Sequence, residues 1–113
     1  MDIVKFAEKE TLSPSSSAII HEYHTKDTEI SGGVAEINGR YPLNGYVINK
    51  TVKELVYVLS GDGVIITPEK SQAISVGDVI FVDFEEKFAW EGQMTLFMAT
   101  APSFDPQQHI EVE

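Results

Sequence analysis

An all-β jelly roll, built from about eight short strands closed into a barrel, is the fold this sequence predicts. Three observations carry that reading. Short runs rich in β-branched and aromatic residues recur along the chain. Turn signals made of Gly, Pro, Asn or Asp separate them about every 8 to 12 residues. No segment has the 3.6-residue apolar period of an amphipathic helix. With 113 residues and 42% hydrophobic content, there is enough chain for one core, so a single domain over 1–113 is expected.

Residues 1–17 read as irregular. Phe6 to Glu10 is too short for an independent helix, and Thr11 to Ser17 is rich in serine and contains Pro14, which fits a loop. Ala18 to Thr28 is the first expected strand. Gly32 to Ile37 is the next, followed by Asn38-Gly39, a type I′ hairpin signal. Pro42 cannot donate to a ladder and marks an edge, a bulge or a strand start. After the Asn44-Gly45 turn, Tyr46 to Lys50 is a strand, and Thr51 to Lys53 leads into Glu54 to Thr67. That stretch reads as a central hairpin turned at Gly61-Asp62-Gly63. Pro68 to Ser71 is a turn, and Gln72 to Val76 alternates like a half-buried strand. Gly77-Asp78 turns the chain into Val79 to Val82. Asp83 to Lys87 is a charged bend, Phe88 to Trp90 a buried aromatic stretch, Glu91-Gly92 a turn, and Met94 to Ala99 the last strand. The barrel core is therefore about 18–101. The tail 102–113, with Pro102 and Pro106, is expected to be irregular and its polar end loose.

Composition excludes several function classes. There is no cysteine, so no disulfide, thiolate metal site or thiol nucleophile exists. The first residues lack an apolar signal-peptide region, and no stretch approaches 18 apolar residues, which predicts a cytoplasmic protein without a membrane role. A net charge of −10 argues against nucleic acid as a partner. There is no nucleophile elbow, phosphate loop or His-Glu-x-x-His motif.

Gly45, Glu54 and Gly61, with Tyr57-Val-Leu59 before the last glycine, resemble the first conserved motif of the cupin superfamily. Gly77-Asp78 resembles the start of the second. The tail Ala101 to His109 resembles the Pro-x-Phe-x-Pro tail of small single-domain cupins of the RmlC-like type. The resemblance covers about 45–102 and implies a small-molecule site in the barrel mouth and a homodimer paired through edge strands. The sequence departs from the family at the metal ligands. Ile48 and Lys50, or Val47 and Asn49 in the longer spacing, stand where the His-x-His pair is usual, and Phe88 stands at the last histidine. Only Glu54 remains, so neither a metal at the usual cupin position nor any other cofactor is expected. Positions three apart on a strand face opposite ways, so His21 and His24 do not chelate together. His109 lies in the tail.

The candidate lining of the mouth is Arg40, Tyr41, Asn49, Glu54 and Tyr57, with Phe88 and Trp90 as aromatic walls on one strand face. Arg40 beside Tyr41 suits a carboxylate or a sugar. Glu54, if it faces inward among apolar groups, has a raised pKa and serves as an acid–base residue. The first functional expectation is a metal-free binder of a small polar ligand, of sugar or carboxylate type. An isomerase- or epimerase-class enzyme using Glu54 is the second, and a dimeric interaction module whose barrel is filled by Phe88 and Trp90 is the third.

Overall fold

Three long strands form the framework. The computed structural model describes residues 1–113 and contains β1 (Glu10–Ser15), β2 (Ala18–Tyr23), β3 (Ser31–Tyr41), β4 (Tyr46–Asn49), β5 (Lys53–Ile66), β6 (Ser71–Ser75), β7 (Val79–Val82), β8 (Ala89–Ala101) and β9 (His109–Val112). The only helical pieces are two single 3₁₀ turns, Phe6–Glu8 and Pro106–Gln108. The all-β jelly-roll expectation holds.

The main sheet has seven strands in the order β1-β2-β3-β8-β5-β6, with β7 also pairing β5. Every pairing is antiparallel. One edge of β5 pairs with β7 through Glu54 to Tyr57 and with β6 through Asp62 to Ile66, while its other edge runs along β8. The second sheet is the pair β4-β9, tied to the first by the Val47–Phe88 bridge.

The sheet rolls because its long strands bend where glycines replace side chains. Gly92 on β8 faces Gly39 on β3 and Gly63 on β5, making a row of three glycines across three neighbouring strands. The β5–β8 register slips between Val58 and Ser60, next to Gly61 at φ +77°. A side chain at Gly61 would collide with the Gln93 carbonyl. Sequence alone assigns Asn38-Gly39, Gly61-Asp62-Gly63 and Glu91-Gly92 to turns, but here β3, β5 and β8 bend and continue through them. The physical reason is that β8 is paired on both edges over its full length, and this pairing overrides local turn propensity. Gly77-Asp78 is a true turn, in which the Asp78 carboxylate accepts from the Ser75 N–H at 2.8 Å.

Two segments expected to be irregular are strands. β1 arises from Glu10 to Ser15 and pairs with β2, and the tail strand β9 pairs with β4. Both supply residues to the cavity described below.

Strand alternation places the core. On β5, Glu54, Val56 and Val58 point inward while Lys53, Leu55 and Tyr57 point out. Ile37, Val47, Val56, Val58, Phe88 and Leu96 belong to one cluster of 14 buried residues. Full burial of such side chains stabilises by roughly 1.5–3 kcal/mol each, before entropy is counted.

Candidate active site in the barrel mouth

The barrel is open at one end and encloses a cavity of about 500 Å³, within the range of about 300–1,000 Å³ usual for small-molecule sites. Its walls are mostly apolar and include Ile20, Ile37, Phe88, Trp90 and Met98. Phe88 and Trp90 meet edge to face, with ring centroids 5.7 Å apart. They line the cavity without closing it, so the barrel is not filled. Tyr41, Glu54, Thr100 and His109 supply polar groups, as does Glu22 from β2. No lysine or arginine lines the cavity.

The polar groups on the β3, β4, β5 and β9 side form one hydrogen-bonded chain, whose directions are fixed from one end. The Thr51 N–H can only donate, and it donates to Gln108 Oε1 at 3.1 Å. Gln108 Nε2 must then face Asn49 Oδ1, at 3.1 Å. Asn49 Nδ2 consequently donates to Glu54 Oε1, a long contact of 3.4 Å. Asn49 Oδ1 also receives His109 Nδ1 at 2.9 Å, so Nδ1 carries the imidazole hydrogen. His109 Nε2 is left with a lone pair and accepts from the Tyr41 hydroxyl at 2.9 Å. The Tyr41 and His109 rings are nearly parallel, 9° apart, with centroids separated by 6.0 Å.

Burial sets the electrostatics. Glu54 is 5% exposed. Loss of solvent pushes its carboxyl up to about 7, and the bond from Asn49 only partly offsets this. Burial lowers His109 to about 4, which keeps the imidazole neutral. The Tyr41 phenol is raised to about 12, by burial first and then by the Glu111 and Glu54 carboxylates. At neutral pH the site therefore holds one carboxyl close to half-ionised beside a neutral imidazole and a neutral phenol. A group with its pKa near the working pH is what general acid–base chemistry needs.

The residues singled out from sequence divide cleanly. Tyr41, Glu54, Phe88 and Trp90 line the cavity. Asn49 is wholly buried behind it and orients Glu54 and His109. Arg40 lies off the cavity: its Nη1 donates to the Pro42 carbonyl at 2.7 Å and its guanidinium lies over the Tyr46 ring. Tyr57 is 44% exposed on the outer face, because its neighbours Val56 and Val58 take the inward positions.

His109, expected in a loose tail, is a central member of the site. Its signal was the alternation of His109, Ile110, Glu111 and Val112, a short strand that pairs with β4. Glu22 carries a similar signal, since it shares the inward parity of Ala18 and Ile20 on β2. His21 lies on the other face of β2, where its Nε2 meets Glu36 at 2.5 Å.

A metal at the usual cupin position does not fit this cavity. Structure selects the longer motif spacing, with Val47 and Asn49 inward and Lys50 exposed. Val47 and Phe88 are fully buried and have no donor atom, and the Asn49 oxygen is already taken by Gln108 and His109. Glu54 alone remains as a ligand there.

No protein-family model matches the chain, and no curated protein matches it. Solved structures do. Pac13 from Streptomyces, a nucleoside dehydratase, superposes with a TM-score of 0.87 at 18% identity, covering 100% of this chain and 92% of that one. An RmlC-like cupin from Shewanella frigidimarina superposes with a TM-score of 0.75 at 14% identity, covering 95% and 96%.

This chain has the cupin fold.

A third cupin-like neighbour is the polyketide cyclase RemF from Streptomyces resistomycificus, with a TM-score of 0.76 at 14% identity, covering 100% of this cupin domain and 86% of RemF. Variants of Pac13, two with a tyrosine changed to phenylalanine and one with a histidine changed to glutamine, have been solved with uridine.

Proposed function

We propose that this small cupin is an acid–base enzyme of the lyase or isomerase class, acting on a neutral, hydroxylated ring compound of nucleoside or sugar type. One observation carries the reading: Glu54 is buried at the cavity wall with its pKa near 7, and Asn49 links it to a second acid–base pair, His109 and Tyr41. Perturbed carboxyls beside a second titratable group gather at working sites. Simple binding of a polar ligand needs no such arrangement.

The lining supports the substrate class. Three glutamates, Glu22, Glu54 and Glu111, and no lysine or arginine face the cavity. A carboxylate ligand would meet repulsion there, and Arg40, which could have paired with it, is turned away. A neutral ring can pack on Phe88 and Trp90. Its hydroxyls can donate to the Tyr41 oxygen, whose own hydrogen is committed to His109. The uridine complexes of Pac13 support the same class.

In the proposed reaction, ionised Glu54 takes a proton from a carbon of the bound ring. In a lyase the C–H electron pair becomes a C=C bond as the C–O bond on the neighbouring carbon breaks. Glu54, now the carboxylic acid, gives the proton to that hydroxyl, which leaves as water. In an isomerase it returns the proton to a neighbouring atom on the same face of the ring. A single carboxyl with a pKa near 7 can serve both halves.

The test is incubation with a panel of neutral nucleosides and sugars, uridine among them, followed by mass spectrometry for loss of water and NMR for isomers. Glu54→Gln is expected to lower turnover by about 100-fold or more while the same compound still raises the melting temperature. Turnover unchanged in Glu54→Gln would overturn the reading.

A further inference from the structure

The β1–β2 side of the cavity carries a second cluster of polar groups. Glu10 on β1 pairs in register with Glu22 on β2, and His24 lies two residues beyond Glu22, on the same face of the chain. One ligand atom from each of the three lies within 4.8 Å of the others. His24 Nε2 is 3.2 Å from a Glu10 oxygen and 3.3 Å from a Glu22 oxygen.

Glu22 is the unusual member. It is 5% exposed, and neither carboxylate oxygen has a hydrogen-bond partner. The Glu10 and His24 side chains are both 56% exposed and already meet each other. A buried carboxylate without a donor is costly unless a proton or a cation neutralises it. Burial raises the Glu22 carboxyl above its ordinary value, His24 pulls it down, and Glu10 raises it again.

We infer that Glu10, Glu22 and His24 form a binding site for one divalent transition-metal ion of the zinc class, at the mouth of the barrel and outside the usual cupin metal position. Two carboxylates and one imidazole are a fitting donor set, and the two negative charges balance the dication. The spacing fits as well. Ligand atoms about 2.1 Å from a tetrahedral ion lie about 3.4 Å apart, close to the two His24 separations. Three protein ligands leave a coordination position open. Because Glu22 and His24 both line the cavity, that position is available to a hydroxyl of a bound molecule. The inference is independent of the role proposed for Glu54.

The experiment is calorimetric titration of zinc chloride into untagged protein stripped with chelator, repeated with cobalt chloride to record the visible absorption of a four-coordinate ion. Expected are one zinc per chain and affinity at least about tenfold weaker in His24→Ala and in Glu22→Gln, with a corresponding loss of the cobalt band. His21→Ala, which removes the histidine on the outer face, is expected to bind as the parent does. Glu22→Gln alters a buried group, so exposed His24 supplies the decisive variant. Absence of saturable one-to-one zinc binding, or His24→Ala binding zinc like the parent, would overturn the inference.

Discussion

The hydrogen between the Tyr41 hydroxyl and His109 Nε2, 2.9 Å apart, belongs to Tyr41. His109 spends its own hydrogen on Asn49, and Asn49 in turn holds Glu54. A residue from the tail strand, one from β3 and one from β5 thus share a single proton network, with the β4 residue Asn49 as its hub. The acid–base character of the cavity rests on that network.

Glu54 and His109 give opposite pH dependences of stability. The folded Glu54 pKa, about 7, lies above its ordinary 4.5, so its contribution is fully present below about pH 4.5 and is lost as pH rises through 7. The folded His109 pKa, about 4, lies below its ordinary 6.5, so its contribution is present above 6.5 and is lost as pH falls through 4. Each is worth on the order of 3 kcal/mol, and in the parent protein they largely cancel between pH 4.5 and 6.5. Urea unfolding across this range is expected to show Glu54→Gln losing stability as the pH falls and His109→Gln losing it as the pH rises. Glu22 is common to both variants and drops out of the comparison. Parallel slopes would contradict the assignment.

Gln108 sets the direction of the whole chain of hydrogen bonds. Gln108→Ala leaves the Thr51 N–H without its acceptor and strips one donor from Asn49. Thr51 is exposed and its N–H can turn to water, and Asn49 Oδ1 keeps its bond from His109, so the expected loss is that of ordinary hydrogen bonds, about 0.5–1.5 kcal/mol each. A lower urea midpoint with an unchanged slope is the expected result. A loss below about 0.5 kcal/mol would mean that the amide does not anchor the site.

Much of the fold and part of the site were legible in the sequence. Glu54 and Tyr41 faced inward as expected, because the parity of a half-buried strand is written in its alternation. Tyr57 belongs to the same strand as Glu54 but has the opposite parity, and the motif resemblance obscured that. His109 was missed because four residues of alternation in a polar tail are a weak signal without β4 to pair with. The turn reading of Gly39, Gly61 and Gly92 failed for a different reason. Glycine permits a turn, but it also permits a strand to bend and another backbone to come close, and only the neighbouring strand decides between them.

Gly61 and Gly77 separate these two uses of glycine. Both have positive φ, +77° and +93°, but a Cβ at Gly61 would strike the Gln93 carbonyl while one at Gly77 meets nothing within 4 Å. Gly77→Ala is expected to cost about 1 kcal/mol from backbone strain alone. Gly61→Ala is expected to cost clearly more, because β8 must move as well. Thermal unfolding of the two variants checks the order, and equal losses would contradict the close approach of β5 and β8.

The most direct test is the Glu54 pKa, read from the side-chain carboxyl carbon in an NMR titration and assigned by its disappearance in Glu54→Gln. A midpoint near 7 is predicted. A midpoint near 4.5, the value of an ordinary glutamate, would mean that Glu54 is solvated or paired and would remove the acid–base group on which the proposed activity depends.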